Sequence, residues 1–151
     1  ADYQRINYSD VNSVGNPIGN LTVEGHLLGS DNGGGFGWRD VNVLKVGVQY
    51  AVNPSITVRA GYNHSSQPIP SSQTLFNILA PGVVQDHLTL GATYTLSDKS
   101  ELSFAYTHAF ENNVNGNGSI PPGSPPGYGG GEANLKMYQD SFGVAYGWNF
   151  Q

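Results

Sequence analysis

Few residues in this chain are of types that do chemistry, and their spacing decides what they can do. Four histidines are present, of which His64, His87 and His108 fall near the ends of strand-like runs and His26 stands apart. A metal site needs ligands converging at roughly 2.0–2.1 Å. Alternation of side chains along a strand sends His64 and His108 to one face and His87 to the other, so no metal centre is expected. The serines lack a Gly-x-Ser-x-Gly elbow and have no base and orienting group spaced to activate them. Gly33-Gly34-Gly35-Phe36-Gly37 has no strand-turn-helix context for a phosphate loop. No enzyme chemistry and no cofactor are expected. The cations are more suggestive. Lys45 and Arg59 share one face of neighbouring strands, Arg5 on the opening strand is expected to join them, and no acid lies mid-strand on that face. Such a track either meets a carboxylate head group or is simply solvated. If Val52 pairs with Ile56, Arg59 lies opposite Gln49 and Lys45 opposite Asn63.

The elements that must position these residues are read from period-two alternation. It is clearest at the end, where Tyr138, Phe142, Val144, Tyr146, Trp148 and Phe150 alternate with small or polar residues. Similar runs contain Leu102 to Phe110, Leu88 to Leu96, Ile56 to Tyr62 and Leu44 to Val52, and Tyr3 to Ser9 is a weaker sixth. The alternation predicts strands at about 2–10, 41–52, 56–65, 86–96, 100–110 and 135–150. One face of each is bulky and apolar; the other is Gly, Ala, Ser, Thr, Asn or Gln. That is the pattern of a strand with lipid on one side and a wet lumen on the other. About 9–11 tilted residues cross a bilayer, and aromatics such as Tyr50, Tyr62, Tyr94 and Trp148 fall near the strand ends, where interfacial girdles lie.

Composition agrees. Charged residues make up 11% of the 151 residues, against about 25% in soluble domains, while aromatics at 11% argue against disorder. A net charge of −5 leaves no footprint for nucleic acid. The absence of cysteine excludes disulfides and thiolate metal sites. No run approaches the ~20 apolar residues of a membrane helix. The opening Ala1-Asp2-Tyr3 is already strand-like, which implies a removed leader or further sequence upstream.

Connections between the strands alternate strictly. Asn53-Pro54-Ser55 and Ser97-Asp98-Lys99 are hairpin-length, whereas roughly 12–39, 66–85 and 111–133 are long. Long outer loops and short periplasmic turns are the asymmetry of an outer-membrane barrel. The third loop is Gly/Pro-rich around Pro121-Pro122-Gly123-Ser124-Pro125-Pro126-Gly127 and should resist regular structure. The second is oddly apolar: Leu75, Phe76, Ile78 and Leu79 either capture hydrophobic substrate or pack against other loops.

The segment Gly35-Phe36-Gly37-Trp38-Arg39-Asp40 leads to Val46-Gly47-Val48-Gln49-Tyr50, then Arg59-Ala60-Gly61-Tyr62 and Gln67-Pro68-Ile69-Pro70. Asn77-Ile78-Leu79-Ala80-Pro81-Gly82-Val83-Val84 then runs into Asp86-His87-Leu88-Thr89-Leu90-Gly91-Ala92-Thr93-Tyr94. This order resembles the C-terminal third of the FadL/TodX family of outer-membrane transporters, which carry long-chain fatty acids or aromatic hydrocarbons. The resemblance implies an all-β antiparallel transmembrane β-barrel of fourteen strands, these being the last six, with an N-terminal hatch in the lumen. It also implies residence in the outer membrane of a Gram-negative bacterium, in contact with bilayer lipid, lipopolysaccharide or detergent, and with the upstream strands and hatch as partners. Where some members place a basic residue against the fatty-acid carboxylate, this chain has Gly33-Gly34-Gly35, which makes an uncharged hydrocarbon as good a candidate. The resulting expectation is passive transport of hydrophobic small molecules. The competing one is a self-associating unit, with copies pairing through open strand edges into oligomers or fibres.

Overall fold

A computed structural model describes residues 1–97, 100–122 and 129–148. Six strands form one antiparallel sheet in chain order: β1 (Asp2–Ile6), β2 (Val41–Asn53), β3 (Ile56–Ser65), β4 (Asp86–Ser97), β5 (Ser100–Val114) and β6 (Leu135–Trp148). It is a simple meander with β1 and β6 at its edges, as expected of a segment of barrel wall. The two short connections join β2 to β3 and β4 to β5, and the three long loops all leave from the opposite end. Asp98, Lys99, Phe150 and the run from Gly123 to Gly127 lie outside the described residues.

Register fixes which side chains share a face. Gln49 pairs with Arg59 and Lys45 with Asn63, as the hairpin predicts, but the turn-proximal pair is Asn53 with Ile56, because a bulge displaces Val52. The bulky face is open along its length: Leu90 is 48% exposed, Phe104 49% and Val144 69%. The opposite face carries Gly47, Gly61, Gly91, Ala105 and Gly143. Val41, Val43 and Ala109 belong to this small-residue face and are buried, whereas Leu44 and Phe110 on the bulky face are not. The loops therefore fold over the small-residue side, which identifies it as the lumen.

Two strands depart from expectation. β1 stops at Ile6 and gives way to a 3-10 turn, Tyr8–Asp10, followed by two single-turn helices, α1 (Asn12–Gly15) and α2 (Gly19–Thr22). β6 starts at Leu135, as the alternation predicts, and is described as far as Trp148. β5 runs on to Val114, four residues beyond the expected end, with a register shift between Ala109 and Asn112. The extra residue of a bulge reverses the in-out alternation beyond it. Asn112 and Val114 consequently turn inward opposite Met137 and Leu135. Val114 and Leu135 then complete a buried cluster with Ile69 and Val83, against which Trp38 and Met137 pack.

Candidate functional site

The first two long loops meet in a cap. In the second loop a 3-10 turn, Ser71–Gln73, starts after Pro70 and is followed by another, Phe76–Ile78. Thr74, between the two turns, and Asn77, within the second, are completely buried. A buried amide left unpaired costs several kcal/mol, and Asn77 avoids this by making three hydrogen bonds. Its Nδ2 donates to the carbonyls of Phe36 and Gln73, each at 2.7 Å, and its Oδ1 accepts from the Trp38 indole. Thr74 donates to Ser119 Oγ at 2.7 Å, which ties the second loop to the third. Gln73 Oε1 accepts from the Ile18 amide at 2.9 Å, which ties it to the first.

Aromatic rings reinforce this joint. Phe36 stacks on Phe76 with centroids 4.9 Å apart, and Trp38 meets the edge of Tyr8 at 5.0 Å. Gly37 makes the bend possible: its φ is +65°, and a Cβ there would lie 2.5 Å from Gln73 Cγ, a conformation and a clearance that only glycine tolerates.

On top of this frame lies an apolar pocket of about 310 Å³, lined by Ile18, Leu21, Thr22, Leu75, Phe76, Ile78 and Leu79. All four apolar residues singled out in the second loop line it. Packing against another loop is seen for Phe76, which stacks on Phe36 of the first loop, while Ile78 (57%) and Leu79 (74%) remain exposed. The contribution of Ile18 and Leu21 was not foreseen. They stand in a stretch without strand periodicity, and only the single turn of α2 and its preceding residue bring them to the second loop.

The glycine run Gly33-Gly34-Gly35 is closed against side chains. A Cβ would come within 2.3 Å of the Leu27 carbonyl at Gly33 and 2.8 Å of Leu21 Cβ at Gly34. At Gly35 it would meet three carbonyl oxygens at 2.8–2.9 Å. The backbone of the first loop packs where a basic residue would have to stand.

Among the cations, Lys45 and Arg59 do share the lumen face. Four residues of register separate Lys45 from Gln49, the partner of Arg59, so they stand roughly 13 Å apart along the strands and form no joint site. Arg59 donates to Gln49 Oε1 at 2.8 Å and to Thr93 Oγ1 at 2.7 Å, both neutral. Lys45 donates to Gln4 at 3.1 Å, and Asp2 on β1 places a carboxylate 3.8 Å away. Arg5 corrects the expectation. The pairing of Asp2 with Lys45 sets Arg5 opposite Asn42, on the outward face with Tyr3 and Leu44. Its guanidinium reaches Asp40 at 3.1 Å. A five-residue strand with no clear alternation gave no means of telling its faces apart, and a one-residue slip exchanges them.

The histidines keep the faces that alternation assigns: His87 pairs with Asn63 inside, while His64 and His108 lie outside beside Asp86 and Asp140. His26, far from them in sequence, contacts Asn32 and Glu24 within the first loop. Among the described residues no group of three His, Cys, Asp or Glu side chains is placed to hold a metal ion.

The described residues thus form a sheet with one bulky apolar face and one small and polar face, and an apolar pocket lies among the loops at one end. A family model described as outer membrane protein transport protein (OMPP1/FadL/TodX) matches residues 1–149. No curated protein and no solved structure gives a significant match. The chain belongs to the OMPP1/FadL/TodX family of transport proteins, and its place is the outer membrane of a Gram-negative bacterium.

Proposed function

We propose that the protein admits hydrophobic small molecules by passive diffusion, with uncharged hydrocarbons such as alkylbenzenes favoured over long-chain fatty acids. The observation that carries this reading is the pocket between the first two loops, lined by apolar side chains and one threonine, with no charged group. Ligand pockets of this kind draw affinity from apolar burial and orientation from a few polar groups. Gly33-Gly34-Gly35, packed against neighbouring atoms, leaves no room for a cation that would pair with a carboxylate at the mouth. Lys45 and Arg59, deeper on the lumen face, are then the contacts for whatever polar end a substrate carries. The competing expectation of assembly through strand edges draws no support from the family, whose members are transport proteins.

The test compares uptake of radiolabelled toluene and oleate by cells carrying the wild-type protein, the deletion, or the Ile78→Ser/Leu79→Ser double variant. Removing two exposed apolar contacts is expected to cut toluene entry about tenfold at low concentration, since burying each side chain is worth about 1.5–3 kcal/mol and both are more than half exposed. Oleate entry should fall less. Toluene uptake unchanged by the deletion overturns transport of hydrocarbons. Oleate falling more than toluene overturns the preference.

A further inference from the structure

The second loop is fastened to the sheet at two points and pinned differently between them. Ile69 and Val83 are both buried, and both belong to the apolar cluster with Val114 and Leu135 on the lumen face. The Val83 carbonyl also accepts from Gln67 Nε2 at 3.0 Å and from Asn112 Nδ2 at 2.9 Å. In the stretch between these two feet, the fully buried side chains are Thr74 and Asn77. They hold on by hydrogen bonds, Thr74 to Ser119 and Asn77 to the Trp38 indole and the Phe36 carbonyl. Amide and hydroxyl groups exchange a protein partner for water at a modest net cost, whereas an apolar joint that parts exposes its surface to water. Pro70 on one side and Pro81-Gly82 on the other separate the feet from this stretch. The arrangement is that of a flap with firm feet, a polar catch and Phe76 set against the first loop.

The ring stack behind the flap stands between the apolar pocket and the lumen. Phe76 lines the pocket and lies on Phe36 with ring planes 18° apart. Phe36 faces Trp38 at 6.1 Å, and Trp38 packs on the cluster that rests on β5 and β6. Gly82 leaves the slot for the indole, since a Cβ there would come 3.0 Å from its ring. A run of aromatic and apolar contacts thus leads from pocket to lumen, and a molecule advances along it only by parting them. The link nearest the pocket is the Phe36–Phe76 stack. A ligand shifts an equilibrium only by its differential affinity for the two states. An aromatic ring arriving from the pocket restores on Phe76 the pairing lost with Phe36, and such pairing is worth about three- to tenfold in affinity beyond apolar burial. A saturated ring of the same size restores the burial alone.

We propose, on the transport reading above, that residues 71–79 form a flap that aromatic hydrocarbons open by taking the place of Phe36 on Phe76. The stack is then the selector between aromatic and saturated substrates.

The experiment measures uptake of radiolabelled toluene and methylcyclohexane by cells carrying the intact protein, corrected for entry into the deletion strain and for the amount of heat-modifiable, folded barrel. Wild type is expected to favour toluene about fivefold at low concentration, and Phe76→Leu to bring that ratio close to one. Phe36 is absent from the pocket lining, so Phe36→Leu loosens the closed stack and should raise entry of both compounds about threefold. A reversible lock is supplied by Thr74→Cys/Ser119→Cys, because the two hydroxyl oxygens stand 2.7 Å apart and the chain has no cysteine of its own. Oxidation is expected to cut toluene entry at least fivefold, and an impermeant reductant to restore it. If the bridge does not form, the outcome is read from Phe36→Leu. A wild-type ratio near one, entry that the bridge leaves unchanged, or entry that falls in Phe36→Leu overturns the proposal. Toluene entering wild type no faster than the deletion strain defeats the transport reading instead.

Discussion

The wall and the cap of this molecule are built on opposite plans. Along the wall, side chains from Val46 to Val52 and from Phe142 to Trp148 are exposed on the outward face, and the backbone hydrogen bonds of the ladder hold the sheet. In the cap the same chain makes a small protein-like core, with Val83, Asn77, Thr74 and Ser119 fully buried and side-chain bonds linking three loops. The wall needs a lipid solvent to satisfy its apolar face. The cap supplies its own interior. Each region should therefore fail under a different insult.

The largest contrast is expected from charge placed in the wall. Val144 lies four residues from both Asp140 and Trp148, hence near mid-bilayer, and faces outward; its neighbour Ala145 faces the lumen opposite Ser103. Val144→Arg should cost about 2–4 kcal/mol of folding free energy in lipid vesicles, whereas Ala145→Arg should cost under about 1 kcal/mol, as measured by reversible urea unfolding. Equal penalties would break the distinction between the faces.

Next in size is damage to the cap alone. Asn77→Leu leaves the Trp38 indole and the carbonyls of Phe36 and Gln73 without their partner, and stranded buried groups cost about 1–3 kcal/mol each. Amide hydrogen exchange in residues 71–79 should speed up by about two orders of magnitude, which corresponds to roughly 3 kcal/mol of local opening. Exchange in β3 to β6 should not change. Spread of the effect into the strands would mean that cap and wall are one cooperative unit.

The smallest effect belongs to the latch where the two plans meet. Asp40 sits just before β2, and hydrogen bonds from the Ser9 hydroxyl and amide, then the Arg5 guanidinium, hold its carboxyl below the ordinary 3.8. A carboxyl with a lowered folded-state pKa adds stability that is fully present above the ordinary value and is lost as pH falls through the lowered one. Protection of the Ser9 amide should hold at pH 5 and decline only below about pH 4. Asp40→Asn should remove most of that pH dependence, and an unchanged profile in the variant would remove Asp40 from the latch.

Legibility in the sequence followed the same division. The wall was readable because the solvent pattern is written on every second residue: Leu90 against Gly91 or Phe104 against Ala105 states a face without any knowledge of the partner strand. Even the pairing of Gln49 with Arg59 followed from one short turn. β1 was not readable, since Tyr3, Gln4, Arg5 and Ile6 have no such contrast and only pairing to β2 orients them. The extension of β5 was hidden for another reason, because a bulge resets the alternation and makes Val114 look like loop. In the cap, Leu75, Phe76, Ile78 and Leu79 were visible as misplaced apolar residues. Their partners Ile18 and Leu21, and the polar pins Asn77 and Thr74, depend on contacts across more than fifty residues or on loop geometry that no period announces. His64 and His108 were seen only as diverging histidines, since Asp86 and Asp140 beside them lie on the following strand.

The central claim is the orientation of the wall, and the absence of cysteine makes it directly measurable. Single cysteines at Leu90, Gly91, Val144 and Ala145 of the intact protein in lipid vesicles would carry a nitroxide, and collisions with oxygen and with a water-soluble nickel chelate would be compared. Labels at 90 and 144 are predicted to meet oxygen dissolved in hydrocarbon and labels at 91 and 145 the nickel chelate. The reverse ranking would contradict the account.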